Sequence, residues 1–214
     1  MGSRRGEVDF KYKFLYSVYM QPQTLVFYGI IGSGKGTQVK NLTDFLKTKS
    51  GLETIYAGTG EGFRKLIESD NYTASIVKDY LSRGELVPDF FASSIVSNIL
   101  TSSLTGDKNL ITDGYPRTVD QSKVFESMMT FFKRENIKII YIQISEEEAM
   151  RRNLLRGRDD DTENGIKQRI EEYKNKVIPS MDYFKAKASY KILTINGEQS
   201  REDVFKDIIK ALGY

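Results

Sequence analysis

The sequence predicts an α/β protein of three layers, with helices on both faces of a five-stranded parallel sheet. Three observations carry this. Five short apolar runs rich in β-branched and aromatic residues recur along the chain. The intervals between them hold helical periodicity, which makes each connection a crossover and the sheet parallel. A glycine-rich stretch separates the first run from the first amphipathic segment, as a tight strand-to-helix turn requires.

Taken in order, residues 1–23 form an N-terminal extension. Val8, Phe10, Tyr12 and Phe14 alternate there with Asp9, Lys11 and Lys13, a period of two that suggests an extra edge strand. Met1-Gly2-Ser3 reads as a vector remnant and carries no weight. Charges at Glu7, Asp9, Lys11 and Lys13 interrupt any signal-peptide-like core. No run approaches the ~20 apolar residues of a membrane span, so a cytoplasmic protein without membrane contact is expected.

The strand runs are 24–28 (TLVFY), 53–56 (ETIY), 109–112 (NLIT), 138–144 (KIIYIQI) and 190–195 (YKILTI). Val39, Leu42, Phe45 and Leu46 place a helix after the first. Phe125, Met128, Met129 and Phe132 share one helical face before the fourth run. Val204, Phe205, Ile208, Ile209 and Leu212 do so at the end of the chain. No repeat or Pro/Gly linker divides residues 24–214, and 214 residues suit one domain with small insertions.

Composition narrows the chemistry. Without cysteine there is neither a disulfide nor a thiolate metal site. Without histidine there is no imidazole acid or base and no Ser–His or Cys–His nucleophile. What remains is carboxylates, Lys, Arg, backbone amides and a hard metal ion, a set suited to phosphoryl transfer, which rests on positioning and charge stabilisation. A net charge of only +3 and the lack of a clustered basic run weigh against nucleic acid.

The strongest local signal is residues 29–37, GIIGSGKGT, between a strand and a helix. Glycines let backbone N–H groups turn inward around an anion, and the helix N-terminus adds partial positive charge. Gly32, Ser33, Gly34, Lys35, Gly36 and Thr37 are the candidate triphosphate cradle, with Lys35 reaching the β- and γ-phosphates and Thr37 near the metal. Asp113 ends the third strand run, where ligands of open parallel sheets collect, and its carboxylate suits Mg²⁺ held through water. An N-cap role for Asp113 is the alternative.

With its following Gln38, this loop resembles that of the adenylate kinases, G-x-x-G-x-G-K-G-T-Q, with Ile30 and Ile31 in place of the usual prolines. The resemblance continues in order. Residues 59–64 (TGEGFR) are similar to T-G-D-x-x-R, residues 84–89 (GELVPD) to G-x-L-V-P-D, and residues 113–118 (DGYPRT), followed by Gln121, to D-G-[FY]-P-R-T and a base-reading glutamine. Arg152, Arg156, Arg158, Asp160, Asp161 and Arg169 align with the family's lid arginines and paired aspartates, and Tyr173, Pro179 and Tyr183 continue the match.

The resemblance spans about residues 24–212. It implies a P-loop kinase fold with a helical monophosphate-binding insertion at 58–87 and a short lid at 156–166, both closing on substrate. It implies ATP and Mg²⁺ as cofactors and small-molecule nucleotides as partners, in a monomer. Lys35, Asp113, Arg117, Arg158 and Arg169 are the expected catalytic groups. Arg152, Arg156 and Gln199 join the cradle at ATP, Arg152 by stacking on the base. Thr59, Arg64, Glu85, Leu86, Val87, Gly114, Tyr115, Pro116, Arg117, Gln121, Arg158 and Arg169 are the expected monophosphate contacts. The acceptor phosphate is already anionic, so no general base is required.

Related UMP/CMP kinases usually carry Ala where this chain has Thr59 and Asn where it has Gln121. A glutamine amide offers both a donor and an acceptor to an adenine edge, which favours AMP. The lid is about four residues shorter than the family's short form between Arg156 and Arg158, which bears on how efficiently it closes. A catalytically weak nucleotide sensor on the same fold is the other reading, against which Lys35, Asp113 and the arginines weigh.

Overall fold

A computed structural model describes residues 21–157 and 162–214. The expected edge strand at 8–14 and Arg158, Asp159, Asp160 and Asp161 lie outside the described residues. The strands are β1 (Thr24–Tyr28), β2 (Thr54–Gly58), β3 (Asn109–Asp113), β4 (Ile137–Gln143) and β5 (Tyr190–Asn196), within two residues of each sequence-predicted run. They form one all-parallel sheet in the order β2-β3-β1-β4-β5.

Between them run α1 (Lys35–Ser50), α2 (Thr59–Ile67), α3 (Tyr72–Ser82), α4 (Asp89–Ser103), α5 (Val119–Phe131), α6 (Glu146–Arg156), α7 (Glu163–Glu172), α8 (Ile178–Asp182) and α9 (Arg201–Leu212). A π-helical turn, Tyr173–Val177, joins α7 to α8. No helix among the described residues is long and apolar enough to cross a membrane.

Alternation along the strands sorts the core into two layers. Leu25, Phe27, Ile111, Ile140, Ile142, Leu193 and Ile195 face α1 (Val39, Leu42, Leu46) and α9 (Val204, Ile208, Leu212). Val26, Tyr28, Ile55, Ala57, Leu110, Ile137 and Ile139 face the other way, onto Phe63 of α2, Val77 of α3, Val96 and Leu100 of α4, Phe125 and Met129 of α5, and Met181 of α8. This face also buries a polar chain, in which the Tyr28 and Ser122 hydroxyls both meet Ser180 Oγ at 2.8 Å.

The helix starts follow local chemistry. Asn71, Thr118, Ser145, Thr162 and Ser200 each accept a first-turn backbone N–H at the N-cap of α3, α5, α6, α7 and α9. Helix α1 starts differently, from Gly34 at φ 89°, a left-handed conformation open to glycine, and has no side-chain cap.

A small third cluster seats the phosphate loop. Ile30 packs with Ala149 of α6 and with Ile166 and Ile170 of α7. The isoleucines in place of the expected prolines therefore anchor the loop to the two helices that flank residues 158–161.

Candidate active site

Several of the predicted residues lie along the carboxyl edge of the sheet. β1 is central, with crossovers departing to both sides, the place where an open parallel sheet leaves a crevice. The loop after β1 turns back at Gly32, where a Cβ would come within 2.6 Å of Asn153 Nδ2 on α6. Close packing and φ 78° both demand glycine there. At the start of α1 the N–H groups of Lys35 and Gly36 belong to a first turn the helix cannot satisfy internally. Gly36 and Thr37 are exposed to solvent.

Lys35 lies across the loop. Its Nζ donates to Gly29 O at 2.6 Å, to Ile30 O at 3.1 Å and to Ser33 Oγ at 3.4 Å. Burial pushes the ammonium down from its usual value to about 8; Arg117 and Arg156 push the same way and Asp113 opposes them. These couplings bring the cradle, the end of β3 and Arg156 into one electrostatic neighbourhood.

Asp113 is the register partner of Phe27 on β1 and of Gly58 on β2. Its side chain therefore emerges on the α1 face, half-buried and toward Lys35. It caps no helix, because the N-cap of α5 is Thr118. Asp113 and the Thr37 hydroxyl are hard oxygen donors, the type magnesium accepts. Among the described residues no cluster of three or more acidic side chains forms a cage by itself.

Arg117 lies over Gly114, its Nη2 2.8 Å from where a Cβ would stand. Burial lowers its pKa, and Asp113 and Tyr56 oppose the shift. Thr59 starts α2 and donates from Oγ1 to Gly114 O at 2.8 Å, tying the insertion to the end of β3. Arg64 is exposed one turn further along α2.

Gln121 is buried. Its Oε1 accepts from Arg117 N at 2.8 Å, and its Nε2 donates to Asp89 Oδ1 at 2.8 Å.

Other expected contacts turn elsewhere. Val87 and Tyr115 are core side chains, and Tyr115 Oη meets Ser93 Oγ at 3.0 Å. Pro116 is buried and Leu86 half-buried. Glu85 pairs with Arg83 at 3.0 Å on the surface, and that partner holds its carboxyl below the usual range.

Next to the glycine-rich loop, Arg152 donates to Glu148 Oε1 at 2.6 Å, to Gly197 O at 2.9 Å and to Gly32 O at 3.5 Å. Its guanidinium bridges the phosphate loop and the loop after β5. Gln199 in that second loop donates to Asn196 O at 3.0 Å and to Asp207 Oδ2 at 2.6 Å. On α7, Arg169 donates from Nε to Gly165 O at 3.2 Å, and its Cγ lies 3.3 Å from where a Cβ on Gly84 would stand. The end of the insertion thus touches α7.

Two groups escaped the sequence reading. Asp89 stood in the quoted GELVPD segment without a role, and only folding puts it against Thr118 and Gln121. Tyr56 leans along β2 so that its hydroxyl lies over the Gly58 α-carbon, where a Cβ would collide with it. Burial and the charges of Asp113 and Glu61 push its phenol up to about 12, with Arg64 and Arg117 opposing, so it is a neutral donor at the edge of the site. A tyrosine two residues before a strand-ending glycine was the available signal.

A glycine-rich strand-to-helix loop carrying Lys35 and an arginine-bearing insertion, set at one edge of an all-parallel sheet, are the frame of a phosphotransferase of the P-loop class. The chain belongs to the adenylate kinase family: the family model described as Adenylate kinase matches residues 27–189. It is 32% identical to an adenylate kinase of Rickettsia africae, over 88% of this chain and 98% of the relative. It is 31% identical to adenylate kinase 1 of a Nostoc species, with the same coverage. A Bacteroides fragilis adenylate kinase is also 31% identical, over 88% of this chain and 97% of its own length. The protein is thus a nucleoside monophosphate kinase, with ATP the substrate the family implies.

Proposed function

We propose that this kinase moves the γ-phosphoryl group of ATP reversibly onto AMP, giving two ADP. The observation that carries the reading is the convergence of Lys35, Asp113 and Arg117 at the carboxyl ends of β1 and β3, with Gln121 one helical turn beyond. The relatives named adenylate kinase support the choice of AMP.

In this reading Lys35 leaves the loop carbonyls to hold the β- and γ-phosphates, and the first turn of α1 supplies backbone donors. Arg64 and Arg117 draw in the acceptor phosphate, and Arg158 and Arg169 add charge on the far side of the transferring group. Arg's planar fork keeps its charge at any working pH, which suits a group whose negative charge never disappears. An acceptor oxygen of AMP forms the new bond to phosphorus as the bond to the ADP leaving oxygen breaks. No proton need be removed, so a chain without histidine suffices. Magnesium, held by Asp113 and Thr37 through water, would neutralise charge on the phosphates. Residues 58–87 close over AMP, which excludes water that would otherwise hydrolyse ATP.

The test is ADP formation from ATP·Mg²⁺ with AMP, CMP, UMP and GMP in parallel. AMP should lead in kcat/KM. CMP or UMP ahead of AMP would overturn the choice of substrate, and no turnover with any of them would overturn the enzymatic reading.

A further inference from the structure

Gln121 carries a carboxamide whose two ends have nearly the same shape and opposite hydrogen-bonding sense. Which end points where decides what base edge it can meet. Two neighbours settle this. The Arg117 backbone N–H can only donate, so the group 2.8 Å from it must be Oε1. The Asp89 carboxylate can only accept, so the group 2.8 Å from its Oδ1 must be Nε2. Asp89 is itself fixed, because its Oδ2 accepts from Thr118 Oγ1 at 2.7 Å. Thr118 Oγ1 in turn accepts from Gln121 N at 3.1 Å as the cap of α5, so the ring of contacts closes.

After these bonds, Gln121 keeps one N–H and one lone pair for a ligand, in a fixed spatial order. Adenine presents an acceptor ring nitrogen beside an exocyclic amino donor. Hypoxanthine, of the same size, presents a ring N–H donor beside a carbonyl acceptor. A locked amide can match one of these edges and not the other. An amide free to turn over can match either.

We infer that Asp89 is a specificity-determining positioning residue: by fixing the polarity of the Gln121 amide it makes the monophosphate site choose amino-edge bases over keto-edge bases. The inference rests on the reading of Gln121 as the group that meets the base. Asp89 sits at the first position of α4, two residues beyond the insertion at 58–87. The amide therefore keeps its sense only while the start of α4 stays against the start of α5. Turning the amide over would set its oxygen against a carboxylate and its NH₂ against a backbone N–H, two repulsive contacts in place of two bonds.

The test compares kcat/KM for AMP and for IMP at saturating ATP in the native protein, Asp89→Asn and Thr118→Val. An asparagine amide offers either a donor or an acceptor to Gln121, so Asp89→Asn leaves only Arg117 N to fix the amide. The AMP/IMP ratio should fall about tenfold, the size expected for a hydrogen bond to a charged group, while KM for ATP holds steady. Thr118→Val removes the hydroxyl that steadies Asp89. It should lower the same ratio by about threefold, a neutral hydrogen bond's worth, and keeps the proposal refutable if Asp89→Asn does not fold. A merely structural role would depress AMP and IMP turnover by a common factor and leave the ratio alone. That result, with a native preference for AMP, overturns the role of Asp89 and leaves the AMP reading standing. A native protein that uses AMP and IMP equally overturns the base-reading role of Gln121 and this inference with it.

Discussion

The ammonium of Lys35 titrates near the working range of the protein, which makes the affinity for ATP depend on pH in a way fixed by the site. In the free protein burial holds its pKa at about 8, below the ordinary 10.5, with Arg117 and Arg156 adding to the depression and Asp113 opposing it. A bound triphosphate brings several negative charges to Nζ and raises that pKa. Binding therefore takes up a proton above pH 8, and affinity falls as pH rises through the free-protein value. About nine-tenths of the lysine is charged at pH 7 and about one-tenth at pH 9. ATP affinity should then fall ~10-fold between these values, ~1.4 kcal/mol. The terminal phosphate completes its own ionisation near ~6 and adds no slope in this window.

The assay is calorimetric titration with ATP from pH 6.5 to 9.5, in buffers of differing ionisation enthalpy so that proton uptake is read directly. Lys35→Arg keeps a charge that does not titrate in this range, so its profile should be flat. A flat profile in the native protein, with no proton uptake at pH 8.5, would refute both the depressed pKa and the contact of Nζ with phosphate.

Two further predictions follow from the same edge. Arg117→Ala should lower turnover by ~10²-fold or more in a coupled ADP assay with the fold intact by circular dichroism, because it removes fixed charge beside the transferring group. Gly58→Ala should lower stability by ~1–3 kcal/mol in thermal melts, since its methyl would collide with Oη, Cζ and Cε1 of Tyr56. In a Tyr56→Ala background the same Gly58→Ala change should cost little, and an unaltered melting temperature in Gly58→Ala alone would show that the ring moves aside freely.

The sequence by itself determined the elements whose signal is local. Each strand run was legible because buried parallel strands are continuous apolar stretches, and α1, α5 and α9 because their apolar residues recur on one face. The phosphate loop was legible too, since its glycines answer to the backbone conformation of the loop itself, as Gly32 and Gly34 do. Helices α3 and α4 were weaker in the pattern. Tyr72 and Ile76 on α3 and Phe90 on α4 are exposed apolar residues that blur the buried face.

Only the tertiary structure decided what depends on which elements meet. The order β2-β3-β1-β4-β5 sets Asp113 beside Gly58 and the phosphate loop, and nothing within either strand encodes that neighbour. The depression of Lys35 comes from burial, with Arg117 in the loop before α5 and Arg156 at the end of α6 adding to it and Asp113 of β3 opposing it. Tyr115 and Val87, in segments matched by motif, turned their side chains into the core because packing claimed their apolar surface. The polarity of Gln121 likewise arises from Asp89, 32 residues away, and a hydrogen bond's direction is fixed only when both partners are in place.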